Sequence, residues 1–293
     1  AGVNIQDLSI GNQVYKDLDN DGFFTSADTP IANVEMSLWR DTDGDNMPNE
    51  FVASTVTNAD GIYLFTGLTP GEYIVEVTES NFNSVLTNCG PSTIAATDPD
   101  DNRNNDNNGF DSGVNGVGIT TMAITLAPGT EPIDDGDFST NSNLSVDFGF
   151  ISLSSIGDCV WADADGDGII DIDEDGINGV TVNLYDGNTG ALVATQVTTT
   201  STSTGKRGSY LFAGLQPGDY YVQFMPPGGL APTTPYIGAP DMDSNVTGNN
   251  GVNTTDIVNL DSGEIDLTID AGFFPVATIG NQVWVDIIGG EMN

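Results

Sequence analysis

The sequence predicts an all-β protein built as two tandem immunoglobulin-like β-sandwiches with metal-binding loops. Three observations carry that expectation. Short runs of Val, Ile, Tyr and Phe alternate with stretches rich in Gly, Asn, Thr, Ser and Asp, and helix formers are scarce. An octet recurs, as Ile10-Gly-Asn-Gln-Val-Tyr-Lys-Asp17, Ile156-Gly-Asp-Cys-Val-Trp-Ala-Asp163 and Ile279-Gly-Asn-Gln-Val-Trp-Val-Asp286. Ile31, Val34, Met36 and Leu38 return as Ile177, Val180, Val182 and Leu184, the alternation of a strand with one buried face. A sheet apolar on one face needs a second sheet to cover it, which makes each unit a sandwich.

The repeat sets the expected boundaries. Residues 1–9 are an N-terminal arm, 10–154 and 155–277 are two full units, and 278–293 is the opening strand of a third. In each unit the opening strand is followed by an acidic loop and a half-buried strand. Then comes a strand-turn-strand segment, Tyr63-Leu-Phe-Thr-Gly-Leu-Thr-Pro-Gly-Glu-Tyr73 or Tyr210-Leu-Phe-Ala-Gly-Leu-Gln-Pro-Gly-Asp-Tyr220. The units close on Val146-Asp-Phe-Gly-Phe150 and Ile269-Asp-Ala-Gly-Phe273. From one opening Ile to the next the first unit runs 146 residues and the second 123, part of the excess lying at Glu131 to Asn143.

The acidic loops carry the chemistry. In Asp163-Ala-Asp-Gly-Asp-Gly-Ile-Ile-Asp-Ile-Asp-Glu174 every position of a twelve-residue calcium loop is filled. Asp163, Asp165 and Asp167 stand at 1, 3 and 5, Gly168 at the turn of position 6, Ile169 at the carbonyl position 7, Asp171 at 9 and Glu174 at 12. A hard cation takes six to eight oxygens, and so short a chain supplies them only by curling around the ion. The first unit repeats the loop with Asp17, Asp19, Asp21, Phe23 and Thr25, but Asp28 at position 12 has a shorter reach than Glu. Asp41, Asp43 and Asp45 form a further acid series with Asn46 at position 6 and Pro48 nearby; an ion and an open acidic turn are both consistent with it. The corresponding Asp186-Gly-Asn-Thr-Gly of the second unit lacks the series and reads as a hairpin.

Late in each unit lies an Asp/Asn tract, with Asp98, Asp100, Asp101 and Asp106 in the first and Asp241 and Asp243 in the second. Polar loops of this length inside a compact unit are functional or mobile, and ordering by metal is the reading pursued for these six residues.

Composition excludes several functions. Five basic residues face 43 acids, a net charge of -38 that repels nucleic acid and anionic membrane. Of those acids 34 are Asp, gathered in loops, which favours ligation over a generally acidic surface. No apolar run reaches the length of a membrane span, and no histidine is present as general base or transition-metal ligand. Asp pairs invite comparison with an acid hydrolase, but those in the loops are committed to metal, and no lone acid lies in an apolar sequence context. Cys159 occupies the place of Gln13 and Gln282, which predicts an outward thiol. A bond from it to Cys89 and two free thiols both remain open.

Taken together, the Ile-Gly-x-x-Val-Trp-x-Asp strand, the loop directly after it, the Tyr-Leu-Phe-x-Gly-Leu-x-Pro-Gly-x-Tyr segment and the closing Asp-x-Gly-Phe resemble a family. They are similar to the B-type repeats of serine-aspartate repeat surface proteins, relatives of the collagen-adhesin B domains. The resemblance covers nearly the whole chain. It implies prealbumin-like sandwiches, secreted to the bacterial cell surface, each holding several calcium ions that stiffen a stalk. It places the first ion on the Asp17 and Asp163 loops and further ions on the Asp98 and Asp241 tracts. Some collagen-adhesin B domains carry an internal Lys to Asn bond. Lys16 aligns with Ala162, so no such bond is expected here.

The functional expectation is a non-enzymatic extracellular structural protein, a calcium-stiffened stalk. Position 3 after Asp286 is Ile288, so the third opening strand leads into no calcium loop. Such a strand would join a sheet edge of its own chain or, head to tail, of the next copy, giving a homopolymeric fibre. The rival is an adhesin module gripping a host or neighbouring-cell protein or glycan.

Overall fold

The computed structural model describes residues 7–94, 99–100, 105–114 and 116–276. Apart from one 3-10 turn at Glu79–Asn83, the regular structure is β. In the first repeat the principal strands are β1 (Leu8–Lys16), β2 (Glu35–Arg40), β3 (Glu50–Val56), β4 (Ile62–Leu68), β5 (Gly71–Val77) and β6 (Phe148–Ser152). In the second they are β7 (Ser154–Ala162), β8 (Thr181–Asp186), β9 (Leu192–Val197), β10 (Ser209–Leu215), β11 (Gly218–Met225) and β12 (Ala271–Pro275). Contacts divide the chain into two compact units at Ser155/Ile156, except that Ala213–Gly218 and Asn259–Ile265 group with the first. β1 begins at Leu8, two residues ahead of the predicted boundary. The opening strand predicted at 278–293 and residues 1–6 of the arm predicted at 1–9 lie outside the described residues.

Each repeat folds as two facing sheets. In the first, β1 pairs in parallel with β6, Val14 opposite Phe148 and Lys16 opposite Phe150, and antiparallel with β4. The second sheet runs β3-β2-β5 and continues into Ile119–Thr120 and Phe110–Asp111. The second repeat copies this plan: β7 lies parallel to β12, with Val160 opposite Ala271, and the other sheet runs β9-β8-β11. The alternation in the sequence fills the space between the sheets. Leu8, Ile10, Val14, Val34, Met36, Leu38, Val75, Val77, Phe148 and Phe150 are fully buried in one core, and Ile156, Val160, Val182, Leu184, Val222 and Phe273 in the other. At about 1.5–3 kcal/mol for each fully buried large side chain, these cores dominate stability.

The recurring Ile-Gly pair has a steric cause. A Cβ at Gly11 would lie 2.3 Å from the Tyr63 carbonyl oxygen, and one at Gly157 would lie 2.4 Å from that of Tyr210. The opening strand crosses the Tyr-Leu-Phe strand with no room for a side chain. Gly11→Ala should therefore destabilise the first repeat by roughly 1–3 kcal/mol, read from denaturant midpoints; an unchanged midpoint would refute the close approach.

The cysteines correct the sequence reading. Cys159 is 1% exposed rather than outward, and both thiols are free. The reason lies in the residue used for comparison: Gln13 is itself buried, its amide donating to the Asp60 carbonyl at 3.0 Å. Burial and the neighbouring Asp270 push the Cys159 thiol far up, so it is protonated and unreactive.

Candidate metal centres

Three acidic loops share one backbone solution. Position 1 accepts, through Oδ2, the N–H of position 6: Asp17 from Gly22 at 2.9 Å, Asp41 from Asn46 at 3.0 Å and Asp163 from Gly168 at 3.0 Å. Position 5 accepts the N–H of position 7, in Asp21 to Phe23, Asp45 to Met47 and Asp167 to Ile169. Positions 4 and 6 are left-handed in all three: Asn20 and Gly22 at φ 57° and 82°, Gly44 and Asn46 at 78° and 61°, Gly166 and Gly168 at 78° and 88°. Gly and Asn are the residues that take this conformation at little cost. Asn46 thus does at the Asp41 loop what glycine does at the others, and Pro48 lies past the turn it was expected to disrupt.

Each loop is closed by an acceptor for the N–H of position 2. Leu18 donates to Asp28, Ala164 to Glu174 and Thr42 to the Asn49 amide oxygen. The Asp41 loop is therefore shorter than the other two and closed by a neutral side chain.

These turns gather carboxylate oxygens. Asp17, Asp19 and Asp28 converge within 4.8 Å, as do Asp41, Asp43 and Asp45; in the second repeat Asp163, Asp165 and Glu174 form one group and Asp165, Asp167 and Asp171 an adjoining one. Asp21 belongs to no such group among the described residues, its Oδ1 turned to the Phe23 N–H, and Thr25 donates its hydroxyl to Asp28. Like charges at about 4 Å repel by about 1 kcal/mol in water and about 4 at a surface-like dielectric, so the groups call for a cation. Desolvation pushes the Asp17 carboxyl up, and its Oδ1 is buried without a hydrogen-bond partner. Asp171 is pushed up by desolvation and by the carboxylates of Asp167, Asp165, Asp173 and Asp163. At Asp41, desolvation is outweighed by N–H groups from Gly44, Asn46, Asp43 and Asp45, which hold it below the usual range. An all-oxygen donor set with buried, unsatisfied acceptors suits a hard divalent ion.

The late tracts fold back onto the loops. Phe23, at position 7, bridges to Asp106, and Ile169, at the same position, bridges to Asp243. Asp106 is fully buried, and Asp243 is 4% exposed with its Oδ1 lacking a hydrogen-bond partner. The sequence reading treated loops and tracts as separate; the fold brings one acid of each tract to its loop. Asp100 goes elsewhere, accepting from Asn143 and the Thr125 N–H, and Asp241 is exposed. Asp98 and Asp101 lie outside the described residues.

Two further acids were missed. Asp147 and Asp270, in the closing motifs, are fully or almost fully buried, contrary to the expectation that no lone acid sits in an apolar setting. Burial drives Asp147 well above the carboxylate range, against the N–H groups of Asn105 and Gln13 that bond it, and raises Asp270 to about 8. Both accept from the backbone of the opening strand, Asp147 from Gln13 and Asp270 from Cys159, so they tie first strand to last. No local signal marked them, since alternation next to the inward Val146 and Phe148 or Ile269 predicts an outward side chain. Thr233 was also missed; its hydroxyl donates to Asp163 Oδ2 and orients that carboxylate.

The SdrD B-like domain profile matches residues 8–132 and 154–273. The chain is 33% identical over 281 residues to serine-aspartate repeat-containing protein F of Staphylococcus epidermidis, covering 95% of this chain and 14% of that protein. It is 32% identical, over the same share of this chain and 18% of the relative, to serine-aspartate repeat-containing protein D of Staphylococcus aureus strain Newman. The chain thus spans less than a fifth of either relative's length. Among solved structures, a minor pilin of Streptococcus agalactiae aligns over 94% of this chain and all of its own at 15% identity, with a TM-score of 0.31. Two matched segments, each carrying an opening strand and its acidic loop, identify the chain as a member of the SdrD B-like domain family, whose repeats are non-enzymatic.

Proposed function

We propose that the chain is a calcium-stiffened part of a surface stalk, carried outside a bacterial cell and doing mechanical rather than chemical work. The observation that carries this reading is the return of each late tract to its loop. An ion held by Asp17, Asp19 and Asp28, or by Asp163, Asp165 and Glu174, would brace a loop whose position 7 is bridged to the backbone of Asp106 or Asp243, a distant segment of the same sandwich. The Asp41 loop, with three carboxylates and an amide closure, is a further candidate site that the second repeat lacks. The buried acids lend the enzyme reading no support: Asp147 accepts backbone N–H groups through both oxygens and Asp270 accepts one through Oδ1, tying first strand to last. The units repeat at 10–154 and 155–277, and the sequence at 278–293 repeats the opening-strand octet, so a fibre joined through that segment is the extended form of this reading.

Thermal unfolding tests it. At about 100 times its dissociation constant each ion adds about 2.7 kcal/mol. The calcium-loaded chain should therefore unfold well above the chelated one, and with magnesium in place of calcium the gain should shrink, because the smaller ion dehydrates reluctantly. Equal unfolding temperatures with calcium and with chelator would end the proposal. Truncation before residue 278 separates the fibre from the stalk, since it should abolish end-to-end assembly and leave the calcium response intact.

A further inference from the structure

We infer that the second sandwich carries a further metal site, separate from its calcium loop, in which Asp158, Cys159 and Asp270 bind a borderline-soft divalent ion, zinc by the donor set. One oxygen or sulfur from each residue lies within 4.8 Å of the others. Consecutive strand residues ordinarily face opposite sides of a sheet. At Asp158 the backbone stands at φ 155°, and its carboxylate and the Cys159 sulfur both come within reach of Asp270.

Asp270 is the group that asks for a ligand. It is 2% exposed, and its Oδ2 is buried with no hydrogen-bond partner. The first repeat shows how the same oxygen is satisfied by the fold. There Asp147 Oδ2 accepts the Asn105 N–H at 2.9 Å. Met242 precedes Asp243 as Asn105 precedes Asp106, but it donates its N–H to the Ala239 carbonyl at 2.9 Å. Oδ1 is served alike in both repeats, by the N–H of Gln13 or of Cys159. The second repeat thus leaves one acceptor open, and it is also the repeat in which Asp158 and Cys159 replace Asn12 and Gln13. A buried carboxylate oxygen with no donor is destabilising unless a proton or a cation meets it.

The donor set selects the ion. Calcium takes six to eight hard oxygens, a shell that three residues and a sulfur do not supply. Zinc takes thiolate sulfur and carboxylate oxygen in a four-coordinate shell, at about 2.3 and about 2.0–2.2 Å. Sulfur and two carboxylates fill three positions, and water fills the fourth. The corners of such a tetrahedron lie about 3.5 Å apart, so the three groups close by no more than about 1 Å around the ion. The thiol proton leaves to solvent as the metal binds, so the inert buried thiol becomes a thiolate only in the loaded site.

Lys206 governs entry. Its ammonium bonds both oxygens of Asp158, at 3.0 and 2.9 Å, and stands where the metal's charge would act. The Lys206 side chain is 39% exposed, and with Asp158, Thr199, Ser201 and Tyr210 it lines a hollow open to solvent. An ion pair so exposed contributes little, so the lysine swings out and admits the ion.

Cobalt is the spectroscopic probe, added to the full chain with calcium saturating the loops. A cobalt–thiolate absorption band should appear and be bleached by equimolar zinc. C159S should lose the band and weaken zinc binding, read by calorimetry, by more than about tenfold, since losing even an indirect partner of a metal has that effect. D158N, at a part-exposed position, should weaken it as well, and C89S should change nothing; a retained calcium increment in unfolding temperature reports that these variants fold. K206A should tighten zinc by about two- to fivefold, because the competing ammonium is gone. D163A removes the first ligand of the calcium loop and should keep the band, so the two sites fail separately. No band in the wild type, a band that survives C159S, or K206A binding zinc no tighter than wild type would each overturn the inference.

Discussion

Asp163→Ala should abolish the calcium response of the second repeat and lower its unfolding temperature by roughly 10–20 °C, leaving the first repeat's response intact. Asp163 is fully buried, and three donors converge on it, the N–H groups of Gly166 and Gly168 and the Thr233 hydroxyl. A buried donor left unmade costs about 1–3 kcal/mol, and losing the ion removes about 2.7 more. Partial rescue of the donors by water leaves roughly 4–6 kcal/mol, and domains of this size lose about 2–4 °C per kcal/mol. Asp163→Asn separates the two contributions, since an amide oxygen still accepts hydrogen bonds but brings no charge to the ion. It should keep most of the chelated-state stability and lose most of the calcium increment. Asp17→Ala is the mirror experiment in the first repeat, and calorimetry with and without chelator reads both. A wild-type calcium increment in Asp163→Ala would show that the ion does not sit in this loop.

Much of this architecture was legible because repetition in a sequence is a physical signal. The octet at Ile10 and Ile156 marks strands that must cross another backbone at Gly11 and Gly157, and its alternation marks which side chains enter the core. The loops were legible for a similar reason, since ligand spacing and left-handed turns are local properties of about twelve residues. What escaped depends on contacts between segments far apart in the chain. Nothing local says that Asp106 meets the Phe23 turn or that Asp243 meets Ile169. Gln13 looks like a surface residue by type, and only the Asp60 carbonyl beside it explains its burial and, by analogy, that of Cys159. At position 6 the requirement is a positive φ rather than glycine itself, and Asn46 meets it at 61°.

The two buried closing acids are both pushed up by burial but are bonded differently in the two repeats. Asp147 has both oxygens bonded to backbone N–H groups, Oδ1 to Gln13 and Oδ2 to Asn105. In the second repeat Asp270 Oδ1 has the Cys159 N–H, but Oδ2 lacks any hydrogen-bond partner. Lys206 is spent on Asp158, at 2.9 Å. A carboxyl so placed is held protonated.

Asp270 should therefore make the second repeat less stable as pH rises. Its folded value is about 8, raised above the ordinary 3.8 first by burial and then by the charge of Asp158. Between those limits the folded chain keeps a proton that the unfolded chain has released, so unfolding releases it. Stability from this group is greatest below about pH 4, declines by up to about 1.4 kcal/mol per pH unit, and levels off above pH 8. Carboxylates that bind calcium behave oppositely, since ligation is lost as they protonate on the acid side. The comparison is therefore made in chelator, between wild type and Asp270→Asn, whose oxygen can still accept from Cys159. The variant should be the more stable protein at pH 8 and lose its advantage as the pH falls toward 4. Parallel stability curves for the two proteins across that range would show that Asp270 titrates in the folded chain as an ordinary carboxylate.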